Sequence, residues 1–229
     1  MRNYIYIEPS TDSSNNVAVE VNIRTKQGEN TELLSYISRI YSETYNANVS
    51  PSPDLLVYTT TRNPNEILAC AGVTMGKDDK ALFSERYLKG KSLHDILMTR
   101  HENIRRSEIV EIGALASDCP KYASLIIKIL PLLSWSLGFR VILCTATKQL
   151  RTLLKYYKIP FEYICESTPD VLTDSERESW GSYYENSPQL VFISLDSCGH
   201  LFNRYCGKLI PVEIEKMNKP DIAHEEYAQ

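Results

Sequence analysis

Residues 108–165 read EIVEIGALASDCPKYASLIIKILPLLSWSLGFRVILCTATKQLRTLLKYYKIPFEYIC, and the rhythm of this stretch decides the fold. Residues 109–116 form a strand-length apolar run. Asp118-Cys119-Pro120 then supplies helix-start chemistry, with proline tolerated in the first turn. Tyr122, Leu125, Ile126, Ile129, Leu133 and Leu137 follow at i, i+3, i+4 spacing on one helical face. Gly138 closes that helix, residues 139–144 make a second apolar strand, and residues 147–157 make a second helix. Pro160 then precedes a third strand over 161–165. This β-α-β-α-β order predicts parallel strands joined by right-handed crossovers. Pro131 is expected to kink the first helix, because it removes a backbone hydrogen bond at a cost of about 3 kcal/mol.

Working outward, Val17, Val19, Val21 and Ile23 alternate with polar residues, which reads as a half-buried strand. Leu33, Leu34, Ile37, Ile40 and Tyr41 recur at helical spacing within 31–47. Residues 55–60 and 67–75 read as strands joined by a turn at Arg62-Asn63-Pro64-Asn65. A short helix is expected over 92–100 and a last strand over 190–195. The prediction is an α/β (α+β) fold. One central mixed sheet is antiparallel in its N-terminal half, parallel in its C-terminal half, and flanked by helices. A single domain over 1–217 is followed by a polar tail, 218–229.

The chain has 229 residues, enough for one sizeable core. A net charge of −4 excludes broad nucleic-acid binding, which needs a strongly basic field. The longest apolar segment, 123–139, is broken by Lys128 and Pro131 and is too short to span a bilayer. No secretory leader is read at the start, so the expectation is a cytoplasmic protein with no membrane span. Six cysteines are scattered without a C-x-x-C pair. Cys198, His200 and Cys206 lack a fourth ligand, and no histidine pair has catalytic metal spacing, so no metal site is expected. The thiols read as reduced packing residues. Cys119 lies at a helix start, which activates a thiol, but Asp118 beside it opposes that.

Four segments, in order, resemble the thermostable haemolysin family: Leu82-Phe83-Ser84-Glu85-Arg86-Tyr87-Leu88, Ile109-Val110-Glu111-Ile112-Gly113-Ala114-Leu115-Ala116, Thr145-Ala146-Thr147-Lys148-Gln149-Leu150-Arg151 and Trp180-Gly181-Ser182-Tyr183-Tyr184-Glu185. That family is distantly similar to acyl-homoserine-lactone synthases, which share the GNAT acyltransferase fold. The resemblance implies a GNAT-like fold and a thioester co-substrate, acyl carrier protein or acyl-coenzyme A, with no bound cofactor. It also places Glu111 where the synthases carry a catalytic glutamate. Two departures stand out. The synthases have an arginine at the position of Gly113, and the haemolysin family carries asparagine at the position of Ala114.

Strand alternation puts Val110, Ile112, Ala114 and Ala116 on one face and Glu111 on the other, between Ile109 and Gly113. A carboxylate so flanked is partly desolvated and suits a general base for acyl transfer to an amine. The alternative is a structural carboxylate paired with Arg86 or Arg151. Tyr183 and Tyr184 are candidate proton donors to a leaving thiolate, or parts of an aromatic lid. Gly113, which leaves room beside Glu111, and Ala114, Thr145, Thr147, Trp180 and Arg86 are candidate substrate-binding residues. Asp118 and Pro120 disfavour a coenzyme A pyrophosphate at the helix start, so the reading leans to acyl carrier protein. Lys148, Arg151, Lys155 and Lys158 would form its basic docking stripe, or a solvated helix face. The leading expectation is an N-acyltransferase acting on a small amine. A membrane-active haemolysin and an inactive acyl- or metabolite-binding module are the alternatives.

Overall fold

The computed structural model describes residues 3–7, 19–61, 66–99, 104–206 and 209–212. The expected turn at 62–65 and the tail from 218 lie outside them. Nine strands form one sheet: β1 Asn3–Ile7, β2 Val19–Thr25, β3 Leu55–Thr61, β4 Ile67–Met75, β5 Ile109–Ala116, β6 Val141–Ala146, β7 Glu162–Glu166, β8 Gln189–Ser194 and β9 Leu209–Val212. Their order is β7-β8-β6-β5-β4-β3-β2-β1-β9. The helices are α1 Thr31–Tyr45, α2 Leu93–Met98, α3 Pro120–Ser136, α4 Lys148–Tyr156, α5 Asp174–Ser179 and α6 Gly199–Cys206.

The helix read at 31–47 forms over Thr31–Tyr45, with Leu33, Ile37, Ile40 and Tyr41 buried as expected, Leu34 only half-buried and Tyr36 buried in addition. Asn46 ends it in the left-handed conformation that asparagine tolerates. Pro120 is the first residue of α3, where its missing N–H would be unpaired anyway. The helix runs unbroken past Pro131, which is buried. Thr147 caps α4 by accepting the Leu150 N–H at 3.3 Å.

The two faces of the sheet carry separate cores. Val57, Ala71, Val110 and Ile142 point to the face covered by α3, α4 and α6. Leu56, Tyr58 and Cys70 point to the opposite face, under α1. Further along that face, Ile109, Leu143 and Phe192 meet Leu82, Leu88, Leu93 and Leu97 from a 3-10 turn, Phe83–Leu88, and α2.

Two expectations need correction. First, β5, β6 and β7 do run in the same direction, but only β5 and β6 are parallel neighbours. The last strand, β8, inserts between β6 and β7 and pairs antiparallel with both. Alternating β and α patterns specify direction but not insertion of a later strand. Second, β5 does not alternate to its end. Gly72 opposes Gly113 and Cys70 opposes Ala116, so Ala71 alone faces both Ala114 and Leu115. This is a β-bulge, and Ala114 takes a left-handed φ of 48° in it. The extra residue reverses the facing. Val110 and Ile112 lie on the α3 face, whereas Ala114 and Ala116 pack on the α1 side.

Candidate active site

The bulge separates the two central strands. The β5–β6 ladder ends at Ile112–Cys144, although β6 continues to Ala146 and β5 to Ala116. Beyond that point the edge of β5 loses its β6 partner, and a cavity of about 320 Å³ fills the gap. Its α3 side is apolar, with Ile127, Leu130, Pro131, Leu150 and Leu153. Its α1 side is aromatic, with Tyr41, Tyr45, Phe83, Trp180 and Tyr183. A cleft through the sheet thus joins two chemically different chambers.

Glu111 lies where the strands part and lines this cavity. The residue is only 8% exposed, and no cation among the described residues that line the cavity meets its carboxylate. Instead the backbone N–H of Phe83 donates to Oε2 at 2.9 Å and that of Ser84 to Oε1 at 3.0 Å. Burial raises its pKa above the ordinary carboxylate value and outweighs the opposing pull of Ser84 and Phe83. The alternative pairing with Arg86 or Arg151 does not occur. Arg86 makes a two-pronged bond to Glu176, at 2.8 Å on each side, and donates to the Val171 carbonyl. Arg151 donates to the carbonyls of Ala146 and Ser187.

The 3-10 turn that holds Glu111 is itself pinned. Glu85 accepts the Leu82 N–H at 2.7 Å and pairs with Arg106, which also donates to the Lys77 and Lys80 carbonyls. Around the carboxylate the rings interlock. Trp180 lies 4.9 Å from Tyr183 and 5.9 Å from Phe83, and Tyr41 stacks on Tyr183 at 6.3 Å. Tyr183 donates to the Thr145 carbonyl at 3.2 Å, and the Tyr87 and Tyr184 hydroxyls share a 2.6 Å hydrogen bond. Burial pushes Tyr183, Tyr184 and Tyr87 above the ordinary phenol range, so all three remain protonated at neutral pH.

Residues 23–198 match the family described as "Thermostable hemolysin". The chain belongs to the thermostable haemolysin family. Among solved structures, the AHL synthase LasI superposes with a TM-score of 0.52 at 9% identity, covering 89% of this chain and 100% of its own. FeeM, an N-acyl amino acid synthase from uncultured soil microbes, gives 0.52 at 10% identity, covering 82% of this chain and 96% of its own. TofI in its apo form gives 0.52 at 13% identity, over 79% and 95%. These likenesses establish the GNAT-like acyltransferase fold for this haemolysin-family chain. No curated protein matches its sequence.

Not every residue singled out in the sequence lies at the cavity of this haemolysin-family protein. Glu111, Gly113, Ala114, Thr145, Thr147, Trp180 and Tyr183 line it. A Cβ added at Gly113 would meet nothing within 4 Å, so that position opens onto space. The Thr145 Oγ1 is buried without a partner. Arg86 and Tyr184 stand one layer back, behind Phe83 and Tyr87. On α4, Lys148 and Lys155 are exposed, whereas Arg151 is half-buried and committed to carbonyls, so the basic stripe is interrupted. Cys119 is the residue before α3, and its N–H donates to Ser117 Oγ at 3.2 Å.

Sequence reasoning missed Tyr41, Tyr45, Phe83 and Tyr87 as walls of the cavity, and missed the amides of Phe83 and Ser84 as the partners of Glu111. The available signal was Glu85, three residues after Leu82, which marks the start of the turn. Among the described residues no group of histidine, cysteine or acidic side chains is placed to hold a metal, and no helix is long and apolar enough to cross a membrane.

Proposed function

We propose that this haemolysin-family protein is an N-acyltransferase, moving an acyl group from a thioester donor to a small amine. The observation that carries this reading is the buried Glu111 carboxylate at the gap where β5 and β6 separate. Each Glu111 oxygen accepts one amide N–H, which fixes the carboxylate and leaves lone-pair capacity for an incoming N–H. Glu111, directly or through one water, takes a proton from the amine as nitrogen attacks the thioester carbonyl carbon. The carbonyl oxygen becomes an oxyanion, and the edge of β5 beyond Ile112, free of its β6 partner, is where backbone N–H groups would stabilise it. Collapse breaks the carbon–sulfur bond and releases a thiolate.

Tyr183 is not a full proton source for that thiolate, and its one O–H is already given to the Thr145 carbonyl. A thiol has a pKa of about 8.5, and a phenol held well above 10 gives its proton to such a thiolate only uphill. The apolar α3 chamber suits the acyl group and the aromatic α1 chamber suits the acceptor. The start of α3 favours acyl carrier protein over coenzyme A as donor. Pro120 removes one amide, the Cys119 N–H is taken by Ser117, and Asp118 adds negative charge beside Arg39. Lys148 and Lys155 are exposed on α4 for an acidic carrier.

The test is native mass spectrometry of the protein with octanoyl-coenzyme A and with octanoyl acyl carrier protein, followed by thiol release in the presence of amines. A complex with one donor class and amine-dependent thiol release supports the reading. Association with neither donor, together with leakage of protein-free liposomes on addition of the chain, overturns it in favour of membrane activity.

A further inference from the structure

The α1 chamber has an unusual charge balance. Among the described residues lining the cavity, Glu111 is the one carrying a formal charge, and no lysine, arginine or histidine joins it. The nearest candidates are spent elsewhere. Arg86 is bound to Glu176 and Val171, Arg151 to Ala146 and Ser187, and Arg39 to Glu43 and Asp118. The chamber walls are six aromatic side chains: Tyr41, Tyr45, Phe83, Tyr87, Trp180 and Tyr183. Aromatic faces attract organic cations, and a fixed carboxylate at their edge adds to that attraction. A carboxylate entering the same space would lose its water, meet no cation and lie against Glu111, an arrangement that strongly disfavours it.

We infer that the acceptor is a primary amine on an apolar or aromatic body that lacks a neighbouring carboxylate: a decarboxylated amine rather than an amino acid. This rests on the reading of the cleft as an acyl-transfer site, and it adds the acceptor's chemical class. The amine enters as its ammonium ion, held between Glu111 and the rings. One ammonium proton is lost to bulk water before attack. The neutral nitrogen then adds to the thioester carbonyl as Glu111 takes its second proton. Collapse breaks the carbon–sulfur bond, and the departing thiolate is reprotonated from Glu111 or solvent. Gly113, with open space over its α-carbon, is where the bound amine approaches the thioester.

The experiment compares phenethylamine, phenylalanine and phenylalanine methyl ester on the full chain. Binding is read by quenching of tryptophan fluorescence, and transfer by thiol release from octanoyl-coenzyme A and octanoyl acyl carrier protein. Phenethylamine and the methyl ester should each bind at least about ten-fold more tightly than phenylalanine, since the ester keeps the phenylalanine skeleton, with one added methyl, while removing the carboxylate charge. One variant tests the cause. Thr44→Arg places a cation at the exposed rim of the cavity and should narrow the discrimination against phenylalanine. Equal or tighter binding of phenylalanine by the unaltered protein overturns the inference, as does the absence of binding by all three. Selective amine binding without thiol release from either donor upholds the acceptor class and sinks acyl transfer. Thiol release favouring phenylalanine does the reverse.

Discussion

At the scale of single residues, the environment of Glu111 makes the sharpest predictions. A base must be ionised to act, so thiol release should rise with pH through an apparent pKa above the ordinary glutamate value of 4.5. Glu111→Gln should remove that limb and lower the rate by about 10²–10⁴-fold, with donor binding retained in native mass spectra. Stability carries the opposite sign. A carboxyl whose pKa is raised by folding contributes stability fully below its unfolded value, and loses it as pH climbs through the folded value. Urea melts across that window should therefore decline with pH in the parent and stay flatter in Glu111→Gln. Two neighbours separate space from strain. Gly113→Val enters open room without a left-handed backbone, so it should alter stability by no more than about 0.5 kcal/mol while suppressing thiol release. Ala114 holds a φ of 48°, a conformation that β-carbons oppose. Ala114→Gly should gain about 0.5–1 kcal/mol in a urea melt, the relief of strain exceeding glycine's extra chain entropy.

At the scale of elements, the segment Trp180–Glu185 closes over the end of α1. Gly181 has a φ of 49°, and a β-carbon there would lie 2.1 Å from the Tyr45 carbonyl and 2.6 Å from that of Asn46. The Ser182 N–H donates to the same Tyr45 carbonyl at 2.8 Å, so the backbone cannot retreat without losing a bond. Gly181→Ala should thus cost more than about 2 kcal/mol, seen as a drop in melting temperature. The limits of the sequence reading are visible at this scale. Most of the stripe of α1, the start of α3 at Pro120 and the existence of α4 were legible because each signal acts within one or two turns of chain. The bulge at Ala114 was not. Nothing in Gly113-Ala114-Leu115 distinguishes a bulge from regular alternation until Ala71 is known to lie opposite. For the same reason Glu111 was legible as a candidate base while its actual partners were not. Its amides come from a turn 27 and 28 residues upstream, and backbone donors leave no mark on composition.

At the scale of the whole molecule, the cores on the two sheet faces bury Cys70 and Cys198, while Cys144 is buried at the wall of the cleft. Cys70 and Cys144 are buried, with pKa values pushed up to about 12, and Cys198 is buried with its own at about 11. Thiolate is the reactive form, so iodoacetamide at neutral pH should leave all three unmodified in the folded protein and label them in urea. Peptide mapping by mass spectrometry reads both states. The direction of β5, β6 and β7 was legible from their alternation with helices, whereas their adjacency was not. Adjacency depends on β8, which lies beyond the repeating pattern and is recognised only by what it pairs with.

The insertion of β8 also constrains how the chain is assembled as it is made. When β6 leaves the ribosome, the edge it presents for Gln189–Ser194 is bare, and stays so until some forty more residues have been added, about 2–9 s of synthesis. During that interval an apolar strand with unpaired amides is free to join the wrong partner. β7 arrives first, in an orientation that would let it dock parallel on that edge, so the nascent protein must keep the place vacant for a strand not yet translated.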